Sequence, residues 1–153
     1  MAAFFCDSSA IVKRYVAEIG SKWVSAIIDP EDGNRIYVAR ITLVEVVSAI
    51  SRREKGGHIT TSDADISRSK FEQDFFIQFR KVEISESLTE KAAQLAKKYA
   101  LRGYDAVQLA AALETESERI TSGLSSVTLL SADADLNAAA VSEGLAVENP
   151  NDY

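Results

Sequence analysis

Short unbroken apolar runs alternate along the chain with longer stretches in which apolar residues return every three or four positions. The run from Ala2 to Cys6 ends at Asp7-Ser8-Ser9, the pattern of a buried strand feeding a helix capped by Asp7 or Ser8. Ile11, Val12, Tyr15 and Val16 then recur at helical spacing, as do Trp23, Val24, Ile27 and Ile28 after Gly20, so two helices are expected. Pro30 and Gly33 mark a turn. Ile36 to Val38 predicts a second strand, and a helix follows from about Ile41 to Lys55, closed by Gly56-Gly57. Ile66, Phe71, Phe75, Phe76 and Phe79 predict a long amphipathic helix between Ser62 and Phe79. Val82 to Ser85 reads as a brief third strand. Ser87 with Glu90 forms a capping box for a helix through Ala100, and another helix is expected from near Tyr104 to about Glu116. Thr121 to Ser126 is polar and reads as a loop before a fourth strand, Val127 to Leu130. That strand ends at Ser131-Ala-Asp133, after which Leu136, Ala139 and Ala140 pack a short helix stopped by Gly144.

Strands alternating with helices in this way specify an α/β domain whose central, mostly parallel sheet carries helices on both faces and places its sites at the carboxyl ends of the strands. The 153 residues suit a single domain spanning 1–153. No apolar run approaches the length of a membrane span, and no basic segment precedes the apolar patch at the amino end, so a cytoplasmic protein is expected. One cysteine, Cys6, and one histidine, His58, exclude an internal disulfide and a Cys/His zinc cluster, so any metal must be held by oxygen. The formal charge of -6 is unlike that of a protein that coats nucleic acid by counterion release. It is compatible with a nucleic-acid enzyme if several acids are concentrated where cations reverse the local field.

Four acids stand out. Asp7 and Asp133 each follow an apolar strand run, so a parallel sheet brings both to one edge; each is also a ready helix N-cap. Glu45 lies within Leu43-Val-Glu-Val-Val47, where a partly buried carboxylate needs compensation from a cation or from donors. A solvated gap in the helix stripe, or an ion pair with Arg40, would also account for it. Asp105 opens an otherwise apolar, alanine-rich helix, where an acid complements the helix dipole. Four carboxylates at one edge repel one another and raise each other's pKa values. A hard divalent cation, Mg2+ or Mn2+, removes that conflict.

Phe5-Cys-Asp7-Ser-Ser-Ala-Ile-Val, Thr42-Leu-Val-Glu45, Leu101-Arg-Gly-Tyr-Asp105-Ala-Val-Gln-Leu-Ala and Leu130-Ser-Ala-Asp133-Ala-Asp-Leu resemble, in order and spacing, the successive motifs of PIN-domain proteins, and most closely the VapC-type toxins of prokaryotic toxin–antitoxin pairs. The resemblance implies a PIN-domain-like three-layer sandwich and a Mg2+- or Mn2+-dependent endoribonuclease that leaves 5′-phosphate and 3′-hydroxyl ends. It implies that Asp7, Glu45 and Asp105 hold one cation while Asp133 helps to hold a second or orients the nucleophile. Ser9 and Ser131 match small hydroxyl positions that support a ligand carboxylate, and Asp135 is an additional, secondary acid. A cognate antitoxin and a homodimer are the implied partners, with Phe71, Phe75, Phe76 and Phe79 available either to an interface or to the core.

Lys13, Arg14 and Arg52 are the first candidates for gripping RNA, with Arg53, Lys55, Lys97, Lys98 and Arg102 also flanking the acidic motifs. The family often carries histidine where Gln108 stands, a difference read here as one of packing. Two other readings compete. A catalytically silent PIN module would bind protein or RNA without turnover. A phosphatase of the haloacid-dehalogenase type would need an acid where this chain has Ser9.

Overall fold

A computed structural model describes residues 1–153. The elements run β1 (Ala3–Cys6), α1 (Ser8–Tyr15), α2 (Ser21–Ile28), β2 (Arg35–Ala39), α3 (Thr42–Lys55), α4 (Thr61–Ile77), β3 (Arg80–Val82), α5 (Glu86–Tyr99), α6 (Gly103–Thr121), β4 (Thr128–Leu130), α7 (Ala134–Ser142) and β5 (Ala146–Glu148). The five strands form one sheet in the order β3-β2-β1-β4-β5, and every neighbouring pair is parallel. From β1 the chain moves outward through β2 and β3 and then returns to the other side of β1 for β4. The crevice where a parallel sheet reverses direction this way therefore opens beyond the carboxyl ends of β1 and β4.

Alternation along the strands divides the core in two. Ala3, Phe5 and Leu129 face one side and pack with Leu88, Leu95, Leu109 and Leu136 from α5, α6 and α7. Cys6, Ile36, Val38 and Leu130 face the other and meet Ile11, Val24, Ile28, Ile50, Phe71 and Phe75 from α1 to α4. These are the helices on both faces that the alternating pattern predicts, and the three-layer sandwich follows from them. β1, buried from both sides, carries no polar residue, as a central parallel strand requires.

The differences from expectation lie at polar segments and sheet edges. β3 is Arg80–Val82, not Val82–Ser85; it is an edge strand, where charged residues are tolerated because one side faces solvent. Ser85, rather than Ser87, caps α5, its hydroxyl accepting the Leu88 N–H at 3.2 Å. α6 continues to Thr121 instead of ending near Glu116, because Thr115 and Arg119 extend its inward face although both are polar. Arg119 donates to the Ser125 carbonyl at 2.7 Å and to the Tyr37 hydroxyl at 3.1 Å. In α4, Phe71 and Phe75 are core, while Ile66 and Phe76 stay exposed. Asp74 is buried beside them and accepts from Tyr15 Oη at 2.8 Å and Lys70 Nζ at 3.0 Å. β5 had no predicted counterpart.

Candidate active site

Parallel register sets the centre of the site. Phe5 and Cys6 stand opposite Leu129 and Leu130, so Asp7 and Ser131 leave the sheet side by side, tied by the Asp7 N–H to the Leu130 carbonyl at 3.1 Å. Asp7 caps α1 through Oδ1, which accepts the Ala10 N–H at 3.0 Å and the Ser9 hydroxyl at 2.7 Å. Its Oδ2 accepts the Ser131 hydroxyl at 3.1 Å. Ser9 also accepts the Ala132 N–H at 2.9 Å, and Ser131 accepts the Asp133 N–H at 3.1 Å. The two serines thus clamp the carboxylate and join the loop after β4 to the start of α1.

Asp133 caps α7 with one oxygen, Oδ1, which takes the Leu136 N–H at 2.8 Å, and turns Oδ2 to the pocket, where Arg102 donates to it. Capping and site roles therefore coexist: the cap fixes the carboxylate and aims the remaining oxygen. Asp105 sits in the first turn of α6, where the helix dipole favours a negative charge. Glu45, in the first turn of α3, has no cationic partner. Arg40 is bound to Glu83 instead, so the alternative of a Glu45–Arg40 ion pair is excluded. The compensating groups are neutral: Gln108 Nε2 donates to Glu45 Oε1 at 2.7 Å and Ser8 Oγ to Oε2 at 3.1 Å.

All four acids line one open pocket of about 770 Å³, shared with Ser8, Ser9, Arg52 and Arg102. Burial pushes the Asp7 carboxyl up to about 7, against the lowering effect of its three hydrogen bonds and with a further rise from the charge of Glu45. Burial also raises Glu45, opposed by Gln108 and Ser8 and reinforced by Asp105. Asp105 is raised by burial and then by the charge of Asp133, while Arg102 lowers it. Each acid thus feels the next along a chain of like charges, the arrangement that a bound cation relieves.

The donor set fits a hard divalent ion, because the acids present only oxygen and the nearest thiol, Cys6, lies buried within the sheet with burial pushing its pKa up. The four carboxylates line one pocket without being gathered around a single point, however. No three acidic side chains are clustered tightly enough to hold an ion. Arg102 stands between two of them, donating from Nε to Asp105 Oδ2 at 3.1 Å and from Nη2 to Asp133 Oδ2 at 2.9 Å. Asp135 is exposed, in the first turn of α7, and reaches the site only through its charge on Asp105.

The basic residues divide differently from expectation. Lys13 is buried and donates to the Ile19 carbonyl at 2.8 Å. Arg14 donates to the Ser25 carbonyl at 3.1 Å and lies 3.6 Å from Asp74. Both are occupied inside the fold, which removes them as first candidates for holding substrate; Arg52 is exposed on the pocket wall. Gln108, read from sequence as a packing difference, is a site residue that also donates to Thr42 Oγ1 at 2.9 Å. A polar side chain in the alanine-rich stretch 106–112 was its only sequence signal, and Ser8 had none beyond its capping position.

This fold and pocket define a family. A model of the PIN domain matches residues 4–142, and the chain belongs to the PIN-domain family. It is 36% identical over 114 residues to ribonuclease VapC45 of Mycobacterium tuberculosis, a stretch covering 74% of this chain and 76% of that protein. The figures are the same for ribonuclease VapC49 of another strain of that species. Among solved structures, FitAcB from Neisseria gonorrhoeae superposes with a TM-score of 0.64 at 20% identity, covering 96% of this chain and 97% of that one. A toxin–antitoxin complex from Klebsiella pneumoniae gives 0.61 at 18%, covering 96% and 97%.

Proposed function

We propose that this chain is a divalent-cation-dependent endoribonuclease that hydrolyses RNA phosphodiester bonds and serves as the toxin of a toxin–antitoxin pair. The observation that carries this reading is the convergence of Asp7, Glu45, Asp105 and Asp133 on one pocket at the reversal point of the sheet. The names of the M. tuberculosis ribonucleases supply the reaction class. Asp7, Glu45 and Asp105 would hold the cation, with Asp133 completing the set on the side of α7. A bound Mg2+ or Mn2+ supplies Lewis-acid chemistry, making water a competent nucleophile near neutral pH and offsetting charge on the phosphoryl group.

The protein's own contribution is positional. Ser9 and Ser131 fix Asp7, Gln108 and Ser8 fix Glu45, and the α7 cap fixes Asp133, so the carboxylate orientations are set before substrate arrives. Arg52, exposed on the pocket wall, is placed to meet a phosphate of the RNA strand. The partner is an antitoxin protein, as in the complexes that share the fold, and the chain pairs with a second copy. No helix is long and apolar enough to cross a membrane, and we assign the activity to the cytoplasm.

Purified protein incubated with RNA and Mn2+ should generate new 5′-phosphate ends. That activity should vanish with a chelator, return when Mn2+ is restored, and be lost in Asp7→Asn. Cleavage undiminished by both chelation and Asp7→Asn would refute the proposal.

A further inference from the structure

Arg102 is the only cation that touches the acidic quartet. It precedes α6, and its side chain, 80% exposed, is held at its tip by Asp105 and Asp133 alone. The oxygen it takes from Asp133 is the one that the α7 cap leaves available, since Oδ1 is committed to the Leu136 N–H. Both oxygens of Asp133 are therefore engaged while the guanidinium stays in place, and its positive charge stands where an ion would approach Oδ2. A divalent ion and a guanidinium are both attracted to these carboxylates and repel each other, and the ion needs far closer approach, about 2.0–2.1 Å for Mg2+.

We propose that Arg102 is a built-in counter-cation that bridges Asp105 and Asp133, must be displaced when a divalent cation binds, and thereby weakens that binding. The inference rests on the cation-dependent reading of the site given above. It adds a residue that acts on cation affinity without ligating the ion. Displacement is easy because nothing else anchors the guanidinium, and exposed ion pairs of this kind are weak.

The test is calorimetric titration of the whole, chelator-stripped chain with Mn2+ in three forms: native, Arg102→Gln and Arg52→Gln. Arg52 lines the same pocket but forms no ion pair with the acids, so its substitution measures the effect of losing one positive charge without breaking a bridge. Both side chains are exposed and neither caps a helix by hydrogen bonding, and thermal melts check that each variant is folded. Arg102→Gln should bind Mn2+ about fivefold more tightly than the native chain, and Arg52→Gln less than about twofold more tightly. Equal tightening in the two variants would reduce Arg102 to a general field effect and overturn the proposal; unchanged or weaker binding in Arg102→Gln would do the same. If the native chain and both variants bind no Mn2+ at all, the cation-dependent reading itself falls, and this inference with it.

Discussion

Replacing Asp7 by asparagine should stabilise the chelated protein, and should do so only above mildly acidic pH. Asp7 is 2% exposed, and burial lifts its carboxyl from 3.8 to about 7 in the folded chain. Between those values the native state holds a proton that the unfolded chain has lost, so stability falls as pH rises through this window and levels off above about 7. The full shift is worth about 4 kcal/mol at 1.4 kcal/mol per tenfold change. Asparagine removes that penalty, which is already net of the hydrogen bonds from Ser9, Ala10 and Ser131, but offers one acceptor oxygen in place of two, so the bond that Oδ2 accepts from Ser131 is lost at a cost of about 2 kcal/mol. The net gain at pH 8 should be about 2 kcal/mol, which for a chain of this size raises Tm by roughly 4–8 °C. Urea melts of both proteins in EDTA from pH 4.5 to 8.5 measure the difference directly. The variant's advantage should open between about pH 4 and 7 and then stay constant; an advantage that is absent, or that shrinks as pH rises, would refute the reasoning.

The remaining expectations separate support from chemistry. Asp133→Asn retains an oxygen for the Leu136 N–H and should keep native stability while losing cleavage, whereas Asp133→Ala should also lose about 1 kcal/mol in a denaturant melt; equal stability of the two would show that the cap contributes nothing. Ser131→Ala leaves Asp7 Oδ2 without a partner in a buried setting and should cost about 1–3 kcal/mol at pH 8, again by urea melt, with no loss counting against the clamp. Gln108→Leu strips Glu45 of its shortest hydrogen bond and should weaken Mn2+ binding severalfold while leaving the helical signal in circular dichroism intact; unaltered affinity would return Gln108 to a packing role.

Which features were legible in sequence follows from where the chemistry leaves a periodic trace. β1, β2 and β4 are buried on both sides, so their apolar runs stand out, and their order with the intervening helices suffices for a parallel sheet with helices on both faces. β3 and β5 lie at the edges, where Arg80, Lys81 and Glu148 interrupt the apolar run and leave no period to read. The end of α6 was hidden because Thr115 and Arg119 are satisfied inside the protein by hydrogen bonds that composition cannot reveal. The same blindness applies to Asp74, buried against Tyr15 and Lys70, and to Lys13 and Arg14, whose internal partners are the Ile19 and Ser25 carbonyls and, for Arg14, Asp74 itself. The acids were visible because each interrupts an apolar context. Their supports, Gln108 and Ser8, were not, since nothing in a linear pattern says which polar side chain will face a carboxylate across 63 or 37 positions.

The proposed hydrolysis requires that the four carboxylates hold a divalent ion. Anomalous diffraction from crystals of the full chain grown or soaked with Mn2+ addresses that requirement without recourse to activity. A manganese peak within bonding distance of Asp7 and at least one of Glu45, Asp105 and Asp133, with the Arg102 guanidinium moved off Asp133, is the expected result. A peak elsewhere on the molecule, or none in crystals of a protein that still cleaves RNA, would contradict it.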